Sequence, residues 1–335
     1  MKIVPKGTLL MSFKLTLGKT AFAGCDLYTN EAIAAIFIKD KNINKYFLDY
    51  ALKFTDLEKY VDNAVKGKTL NKQKLRQIEI PIPPLKEQER IVGILDESFA
   101  KIDESIKILE QDLLNLDELM QSALQKAFNP LKDDTKENYQ LPQGWEIKKL
   151  DDIAEIQIGK TPSRNNIDFF QGENIWLSIR DLKSKFVSFS SEKISNEAIL
   201  KTNMKIVPKG TLLMSFKLTL GKTAFAGCDL YTNEAIAAIF IKDKNINKYF
   251  LDYALKFTDL EKYVDNAVKG KTLNKQKLRQ IEVPIPPLKE QEQIASYLDE
   301  LSLNIKALKE NYKTQIKDYE ELKKSLLKKA FEGRL

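Results

Sequence analysis

Three Gly-Lys-Thr triplets are the residues of this chain that most invite a chemical interpretation. They lie at 18–20, 159–161 and 221–223. In many nucleotide-binding proteins such a triplet ends a glycine-rich loop that holds phosphate. That loop also needs a glycine five residues before the glycine of the triplet, where this chain has Phe13, Ala154 and Phe216. We therefore interpret the triplets as basic turns.

Other catalytic or metal-binding chemistry has little support in the sequence. The chain has no histidine, so the commonest general base and the commonest metal ligand are missing. Two cysteines, Cys25 and Cys228, are too few for the usual zinc site; a disulfide between them stays open, and two free thiols are the simpler expectation. There is no Asn-Pro-Pro-aromatic tetrapeptide of the adenine methyltransferase type and no glycine-rich cofactor loop after a strand. We expect a non-catalytic protein without cofactor or metal.

The distribution of charge points to a polyanionic partner. The net charge is +7, but residues 87–128 contain 4 basic and 10 acidic residues, and residues 290–331 contain 8 of each. The remaining chain therefore carries a strong positive excess, which favours nucleic acid as a partner. A solvated, lysine-rich surface is the alternative. No apolar run approaches a membrane span and no secretory signal is found, so we expect a cytoplasmic protein.

A long internal repeat organises the chain. Residues 1–89 match residues 204–292 at a constant offset, with one difference, Ile80 against Val283. Such near-identity indicates duplication or recombination of the coding segment, and two copies suggest a two-fold arrangement. Because Met1 aligns with Met204, we expect the chain to begin in the middle of a domain. The first copy would then lack the counterpart of residues 145–203.

Local patterns predict a mixture of strands and helices. The segment 145–156 is predicted to be a short helix that a strand follows, 174–182 a strand, and 192–203 a helix. Each copy of the repeat should contain three strands, in "GTLLMSF", "KTAFAG" and "AIAAIFI". Further helices are predicted at 43–61, 246–264 and 273–280. The prolines of "IEVPIPP" exclude helix there and predict an extended segment.

Two long amphipathic helices follow the copies. In the first, apolar side chains alternate three and four residues apart, at Phe99, Ile102, Ile106, Leu109, Leu113, Leu116, Met120, Ala123 and Ala127. The second has a similar seam at Ile294, Leu298, Leu301, Ile305, Leu308, Tyr312, Ile316 and Tyr319. Some 42 residues of helix extend about 63 Å, which is too long for a small domain to bury. We therefore predict that the helices pair as an antiparallel coiled coil with one domain at each end; helices that merely cover their own domains are the alternative.

The sequence resembles the specificity subunits of type I restriction-modification systems. The resemblance lies in "IEIPIPPLKEQERIVGILD" and "IEVPIPPLKEQEQIASYLD", and in "GWEIKKLDDIAEIQIGKTPSR", "IWLSIRDLK" and "LYTNEAIAAIFI". It implies two target recognition domains that bind the halves of a bipartite double-stranded DNA sequence. It also implies that the helices dock methyltransferase subunits, which in turn join restriction subunits, and that this subunit performs no catalysis.

These observations predict an α+β fold with two mixed strand/helix recognition domains, each followed by a long helix. The expected boundaries are the C-terminal part of a first recognition domain at 1–86, a first spacer helix at 87–128, a linker at 129–144, a complete second recognition domain at 145–285, and a second spacer helix with the tail at 286–335. The truncated first domain leaves three alternatives open. It is incomplete, it borrows strands from a second specificity chain, or the chain is an inactive recombined allele. A purely structural coiled-coil protein is a further alternative.

Candidate DNA contacts are basic and hydroxyl residues in the loops of the recognition domains, because Arg and Lys bind phosphates and guanine edges and Ser and Thr do either. In the complete domain they are Lys160, Thr161, Ser163, Arg164, Arg180, Lys183, Lys185, Lys217, Lys222, Lys269 and Lys271. In the first copy they are Lys14, Lys19, Lys66 and Lys68. The bases that these residues recognise do not follow from the sequence.

Overall fold

The structure, a computed structural model, describes residues 2–14, 16–61, 69–129, 141–264 and 272–335. It forms two compact units. Unit 1 consists of Met1–Leu114 and Leu308–Leu335, and unit 2 of Asn115–Ala307. Each unit contains a copy of the repeat and part of both long helices. Among the described residues, none of the helices combines the length and the apolar composition of a membrane span.

Unit 1 contains a small antiparallel sheet with strand order β2-β1-β3. Its strands are β1 (Leu9–Ser12), β2 (Thr20–Phe22) and β3 (Ile33–Ile36). The helices that begin in this unit are α1 (Lys45–Phe54), α2 (Lys72–Leu75) and α3 (Leu85–Phe128). A short 3-10 helix, Leu57–Tyr60, follows α1. The side chain of Asn44 accepts hydrogen bonds from the backbone N–H groups of Tyr46 and Phe47, and such a cap explains why α1 begins there.

Unit 2 contains residues 145–285, the segment predicted to be the complete recognition domain. It opens with β4 (Glu146–Lys149), α4 (Leu150–Ile153), β5 (Ala154–Ile158), β6 (Asn174–Leu177), β7 (Phe186–Val187), β8 (Glu192–Ile194) and α5 (Asn196–Thr202). The second copy of the repeat then supplies β9 (Leu212–Ser215), β10 (Thr223–Ala226), β11 (Tyr231–Thr232), β12 (Ile236–Ile241), α6 (Lys248–Phe257), α7 (Lys275–Arg279), β13 (Glu282–Ile285) and the start of α8 (Leu288–Phe331). Short 3-10 helices lie at Ile167–Phe170, Ile179–Asp181 and Leu260–Tyr263.

The central element of unit 2 is a five-stranded sheet of order β5-β12-β9-β10-β7. Its strands pair antiparallel except β7, which runs parallel to β10. Successive residues of β9 belong to different apolar clusters, Leu212 and Met214 to one and Leu213 to the other. Because side chains alternate across a strand, both faces of the sheet are covered. This explains why its strands are continuous apolar runs.

The three strands predicted in each copy of the repeat are confirmed, whereas some neighbouring elements differ. Residues 146–149, predicted as helix, form β4 because they pair with β13, and the helix there is only α4. Residues 192–194, predicted as the start of a helix, form β8 because they pair with β6. The strand predicted at 174–182 ends at Leu177. Tertiary pairing overrides local propensity in these places.

Both long helices begin directly after a proline pair, at Leu85 and Leu288, two residues before the predicted boundary of the first and two after that of the second. They pack antiparallel. In unit 1 an apolar cluster joins the beginning of α3 to the end of α8, through Ile91, Leu95 and Ala330. In unit 2 a cluster joins the end of α3 to the beginning of α8, through Leu124 and Leu298 among others. The predicted seam thus forms. One assignment was wrong, since Leu308 is 42% exposed.

Each long helix ends on an aromatic side chain that packs against the repeat in its unit. Phe128 is completely buried, and its ring lies 5.2 Å from that of Phe250 and 5.3 Å, stacked, from that of Phe257. In unit 1 Phe331 takes the corresponding position, with its ring 5.3 Å from that of Phe47 and stacked 5.2 Å from that of Phe54, both in α1. The end of each helix is therefore anchored to the α1 or α6 helix of the repeat beside it.

A buried glutamine ties the beginning of each long helix to its domain. Gln291 is fully buried. Its Nε2 donates to the carbonyl oxygens of Asn245 (2.9 Å) and Pro286 (2.8 Å), and its Oε1 accepts from the N–H of Asn247 at 2.8 Å. Gln88 makes the equivalent bonds in unit 1. The repeated Pro-Pro-Leu-Lys-Glu-Gln-Glu segment is therefore a hydrogen-bonded joint, a role that sequence reasoning missed.

Candidate nucleic-acid interface

One end of the five-stranded sheet in unit 2 collects the loops that carry the predicted DNA contacts. The strand register aligns Ala237 of β12 with Ile158, the last residue of β5, and Ile236 with Ser215, the last residue of β9. Because β10 begins at Thr223, opposite Met214, its first residue lies at the same end. The loops 159–166 and 216–222 therefore emerge side by side.

Gly159 begins the first of these loops, and no other residue fits there. A Cβ atom at this position would lie 2.1 Å from the carbonyl oxygen of Thr232 and 2.3 Å from that of Asn233, closer than nonbonded atoms approach. The next residue, Lys160, donates its ammonium to the carbonyl oxygens of Thr202 (2.8 Å) and Asn203 (3.1 Å) at the end of α5. A cation suits that position, because the last carbonyl groups of a helix lack intrahelical partners. Lys160 thus fixes the loop against α5.

Arg164 and Arg180 converge on a single carboxylate, that of Glu192. Arg164 forms a two-pronged ion pair with Glu192 and stacks on Phe170, 4.2 Å from its ring centre. Arg180 reaches Glu192 at 3.3 Å and is 72% exposed. The hydrogen bond from Arg164, against a smaller effect of burial, holds the pKa of Glu192 below its ordinary value. Glu192 therefore orients two guanidinium groups that sequence reasoning assigned separately.

Asp181 shapes the segment that carries the other basic residues of this region. Its carboxylate accepts hydrogen bonds from the backbone and side chain of Ser178, both at 2.8 Å, and from those of Ser191, at 2.9 and 2.6 Å. Burial opposes ionisation, but these bonds outweigh it and lower the pKa of Asp181. Lys183 is exposed. Lys185 instead pairs with Asp299 within the unit, so its geometry favours a packing role.

The loop between β9 and β10 presents an apolar tip between two lysines. Leu218 is 79% exposed and has a φ of 64°, a left-handed conformation that costs a non-glycine residue about 1–2 kcal/mol. Ser215 holds the loop: its hydroxyl donates to the carbonyl oxygen of Thr219 at 2.6 Å and accepts from the N–H of Lys222 at 3.0 Å. Lys222 is exposed and Lys217 half-buried. Sequence reasoning missed Leu218, and its only sequence signal is an apolar residue inside a basic turn.

The remaining predicted contacts are less well defined. Ser163 is exposed, and Thr161 donates a hydrogen bond to Glu234. In unit 1 Lys19 is exposed and Lys14 half-buried. The other four predicted lysines lie outside the described residues: Lys66, Lys68, Lys269 and Lys271. All of these assignments stay predictions.

In the described ranges no group of three or more Cys, Asp or Glu side chains is arranged to hold a metal ion. Cys25 and Cys228 are both free thiols. The indole of Trp176 is buried and its N–H donates to the carbonyl oxygen of Lys160 at 3.0 Å. What this end offers is a set of guanidinium, ammonium and hydroxyl groups on short, hydrogen-bonded loops, which suits binding of a phosphate backbone and base edges.

Comparison with known proteins agrees with this interpretation. The family described as type I restriction modification DNA specificity domain matches residues 1–113 and 142–318. A putative MjaX specificity subunit of Methanocaldococcus jannaschii is 26% identical over 308 residues, 88% of this chain and 68% of its own length. The EcoBI specificity subunit of Escherichia coli is 26% identical over 327 residues, 91% of this chain and 69% of its own. The MjaIX specificity subunit of M. jannaschii is 31% identical over 175 residues, which are 50% of this chain and only 40% of that protein.

Solved structures share the fold. A chain from a structural study of complex assembly and conformational transition in a type I restriction-modification system superimposes with a TM-score of 0.82 at 22% identity, over 100% of this chain and 84% of that one. The HsdS subunit of Thermoanaerobacter tengcongensis superimposes with a TM-score of 0.60 at 23% identity, over 100% of this chain and 83% of that one. Because the family profile covers most of the chain, this protein belongs to the type I restriction modification DNA specificity domain family.

Proposed function

We propose that this chain recognises double-stranded DNA as the specificity subunit of a type I restriction-modification complex. The observation that carries the proposal is the basic end of the five-stranded sheet in unit 2, in a chain of this family. There Arg164, Arg180, Lys183 and Lys222 lie on short connecting segments. Glu192 orients the two guanidinium groups, and hydrogen bonds to Asp181 and Ser215 hold the backbone at Ser191 and Lys222. Preorganised loops suit sequence recognition, because little ordering is needed on binding.

The proposal extends to the partners. The two recognition domains would bind the halves of a bipartite target, and the paired helices α3 and α8 would set the spacing and dock methyltransferase subunits, to which restriction subunits attach. The chain itself would perform no catalysis and act in the cytoplasm. If an equivalent of residues 145–203 is supplied to the first recognition domain by a second chain, both half-sites would be alike and inverted.

The first experiment is co-expression with the cognate methyltransferase subunit, followed by light scattering of the complex and mapping of adenine methylation across the genome. A defined complex that methylates a two-part motif supports the proposal and gives half-sites and spacer together. A complex without methylation supports an inactive recombined allele. A chain that forms no such complex and shows no affinity for duplex DNA supports a structural coiled-coil protein.

The interface itself is tested with two matched lysine variants. Lys222 precedes β10 at the proposed DNA-binding end, whereas Lys209 precedes β9 at the opposite end of the sheet, and both are exposed. Lys222→Ala should weaken binding to duplex DNA and reduce the slope of log affinity against log salt by about 0.9. Lys209→Ala removes the same charge and should leave that slope unchanged. Equal effects of both variants would contradict the placement of the interface.

A further inference from the structure

The two copies of the repeat form an internal comparison, because nearly the same sequence is buried to different extents. In unit 2 the inner side chains of the sheet and of the segment after α7 are 0–1% exposed, at Ala237, Ile239, Leu278 and Ile281. Their counterparts in unit 1 are only half-buried, at Ala34, Ile36, Leu75 and Ile78. Since the sequence is the same, the difference comes from what packs against it.

In unit 2 the covering element is the strand-helix-strand segment β4–α4–β5. It inserts an apolar face whose members are at most 2% exposed, at Leu150, Ile153, Ala154 and Ile156. β5 pairs with the outer edge of β12, and β4 pairs with β13. Two further backbone bonds fix α4: the N–H of Leu150 donates to the carbonyl oxygen of Ile281, and the N–H of Lys242 donates to that of Ile153, both at 2.9 Å.

In unit 1 the same location is an open groove of about 450 Å³. Its lining includes the counterparts of side chains that pack with β4, α4 and β5 in unit 2, namely Ala34, Ile36, Leu48, Leu75, Ile78 and Ile80. The described part of unit 1 has no strand on the outer edge of β3, since its sheet ends there. An apolar groove beside an unpaired strand edge is the arrangement to which an added strand binds.

Charged side chains at the edge of this groove also suit a segment like β4–α4–β5. In unit 2 Arg279 pairs with Asp151 of α4 at 3.2 Å, and Asp243 pairs with Lys148 of β4 at 3.4 Å. The counterparts of Arg279 and Asp243 in unit 1 are Arg76 and Asp40, and both are exposed. A bound segment with an acidic residue on its helix and a lysine on its first strand would therefore form one ion pair with Arg76 and another with Asp40.

A second difference lies on the other edge of the sheet. In unit 2 the hydroxyl of Thr223 donates a hydrogen bond to the carboxylate of Asp252, beside the strand that pairs with β7. In unit 1 the corresponding atoms, Oγ1 of Thr20 and Oδ1 of Asp49, are both buried without a partner among the described residues. The bond that satisfies these atoms in unit 2 lies within its own copy of the repeat, so this difference is separate from the groove beside β3.

We propose that the groove and the outer edge of β3 in unit 1 bind a strand-helix-strand segment with the chemistry of residues 146–158, presented by a second polypeptide chain. The segment would add a strand to β3, place apolar side chains into the groove and set a carboxylate beside Arg76. Binding of this kind would cover in unit 1 the surface that β4, α4 and β5 cover in unit 2. It is an association property of unit 1 and can be tested without DNA.

The test uses the full chain and a synthetic peptide of residues 145–160, with hydrogen exchange measured by mass spectrometry. The single difference between the copies distinguishes the two sites, because fragments that contain Ile80 differ in mass from those that contain Val283. In unit 2 Val283 pairs with Lys148, so the peptide should slow exchange in fragments spanning Ile80 and leave those spanning Val283 unchanged. Unchanged exchange around Ile80 at saturating peptide, or slower exchange around Val283 alone, would overturn the proposal.

Charge reversal gives a second, independent measurement by fluorescence anisotropy of the labelled peptide. Arg76→Glu should weaken binding about fivefold, as expected for loss of one exposed ion pair. A peptide with Asp151→Arg should restore binding to this variant. Arg279→Glu, the same change in unit 2, is the matched control and should have no effect. Binding that depends on Arg279 and not on Arg76 would contradict the assignment to unit 1.

Discussion

The buried amide of Gln291 allows a quantitative test of the joint between recognition domain and helix. Gln291→Leu keeps the size of the side chain but removes three hydrogen bonds, to Asn245, Pro286 and Asn247. Each bond contributes about 1 kcal/mol net, and a carbonyl left buried without a partner adds about 1–3 kcal/mol. Only Pro286 is itself buried, so water can replace part of the loss. We expect the free energy of unfolding to fall by about 2–4 kcal/mol.

Tryptophan fluorescence during urea unfolding measures this loss of stability in unit 2, which contains Gln291. The chain has two tryptophans, Trp145 and Trp176, and both are buried in unit 2. Gln291→Leu should lower the urea midpoint without changing the slope. The control is Gln293→Leu, two residues along the same helix and exposed, which should change stability by less than about 0.5 kcal/mol. Equal midpoints for the two variants would refute the hydrogen-bonded joint.

Three further predictions concern single side chains. Phe128→Ala should destabilise unit 2 by about 3–5 kcal/mol in the same assay, because it empties a fully buried aromatic site. Leu218→Gly should raise the urea midpoint slightly by relieving a positive φ, while reducing affinity for duplex DNA in a titration; unchanged affinity would remove Leu218 from the interface. Burial first, and then the hydrogen bond to Asp299, raises the pKa of Tyr253. Its stabilising effect is therefore present below the ordinary tyrosine pKa and lost as pH rises through the raised one. Burial and the hydrogen bond to Asp96 raise the pKa of Tyr50 in the same way, so absorbance at 295 nm should show both side chains ionising after exposed tyrosines. Tyr253→Phe should reduce the amplitude of that late step without abolishing it.

Much of the architecture was predictable from local patterns. Apolar spacing of three and four residues predicts a helix and its buried seam, since the period of the α-helix sets which side chains share a face. The paired prolines placed the beginnings of α3 and α8 to within two residues, because proline disfavours helix in the residues before it. Conversely, residues 146–149 and 192–194 were assigned to helices and are strands. Their partners, β13 and β6, are distant in sequence, and such pairing leaves no local signal.

For the candidate DNA interface, too, the sequence predicted one part and the tertiary structure supplied the other. Residue type alone selected the basic loops, but only the tertiary structure shows that Arg164 and Arg180 share Glu192, that Lys160 caps α5, and that Lys185 pairs with Asp299. A lysine has the same charge in every sequence context. Whether it faces a ligand or an internal carboxylate depends on elements that meet only after folding.

The two copies of the repeat show most directly which features follow from sequence and which from tertiary packing. The sequence by itself determined that two nearly identical segments share most of their strands and helices, since β1 and β9 or α1 and α6 occupy matching positions. β11 and β13 have no strand counterpart in the described part of the first copy, because their partner strands β6 and β4 belong to residues 145–203. The tertiary structure alone decided that Ala237 is buried and Ala34 is not. Backbone conformation follows largely from neighbouring residues, whereas burial requires a second surface, and in unit 1 the described residues leave that surface uncovered.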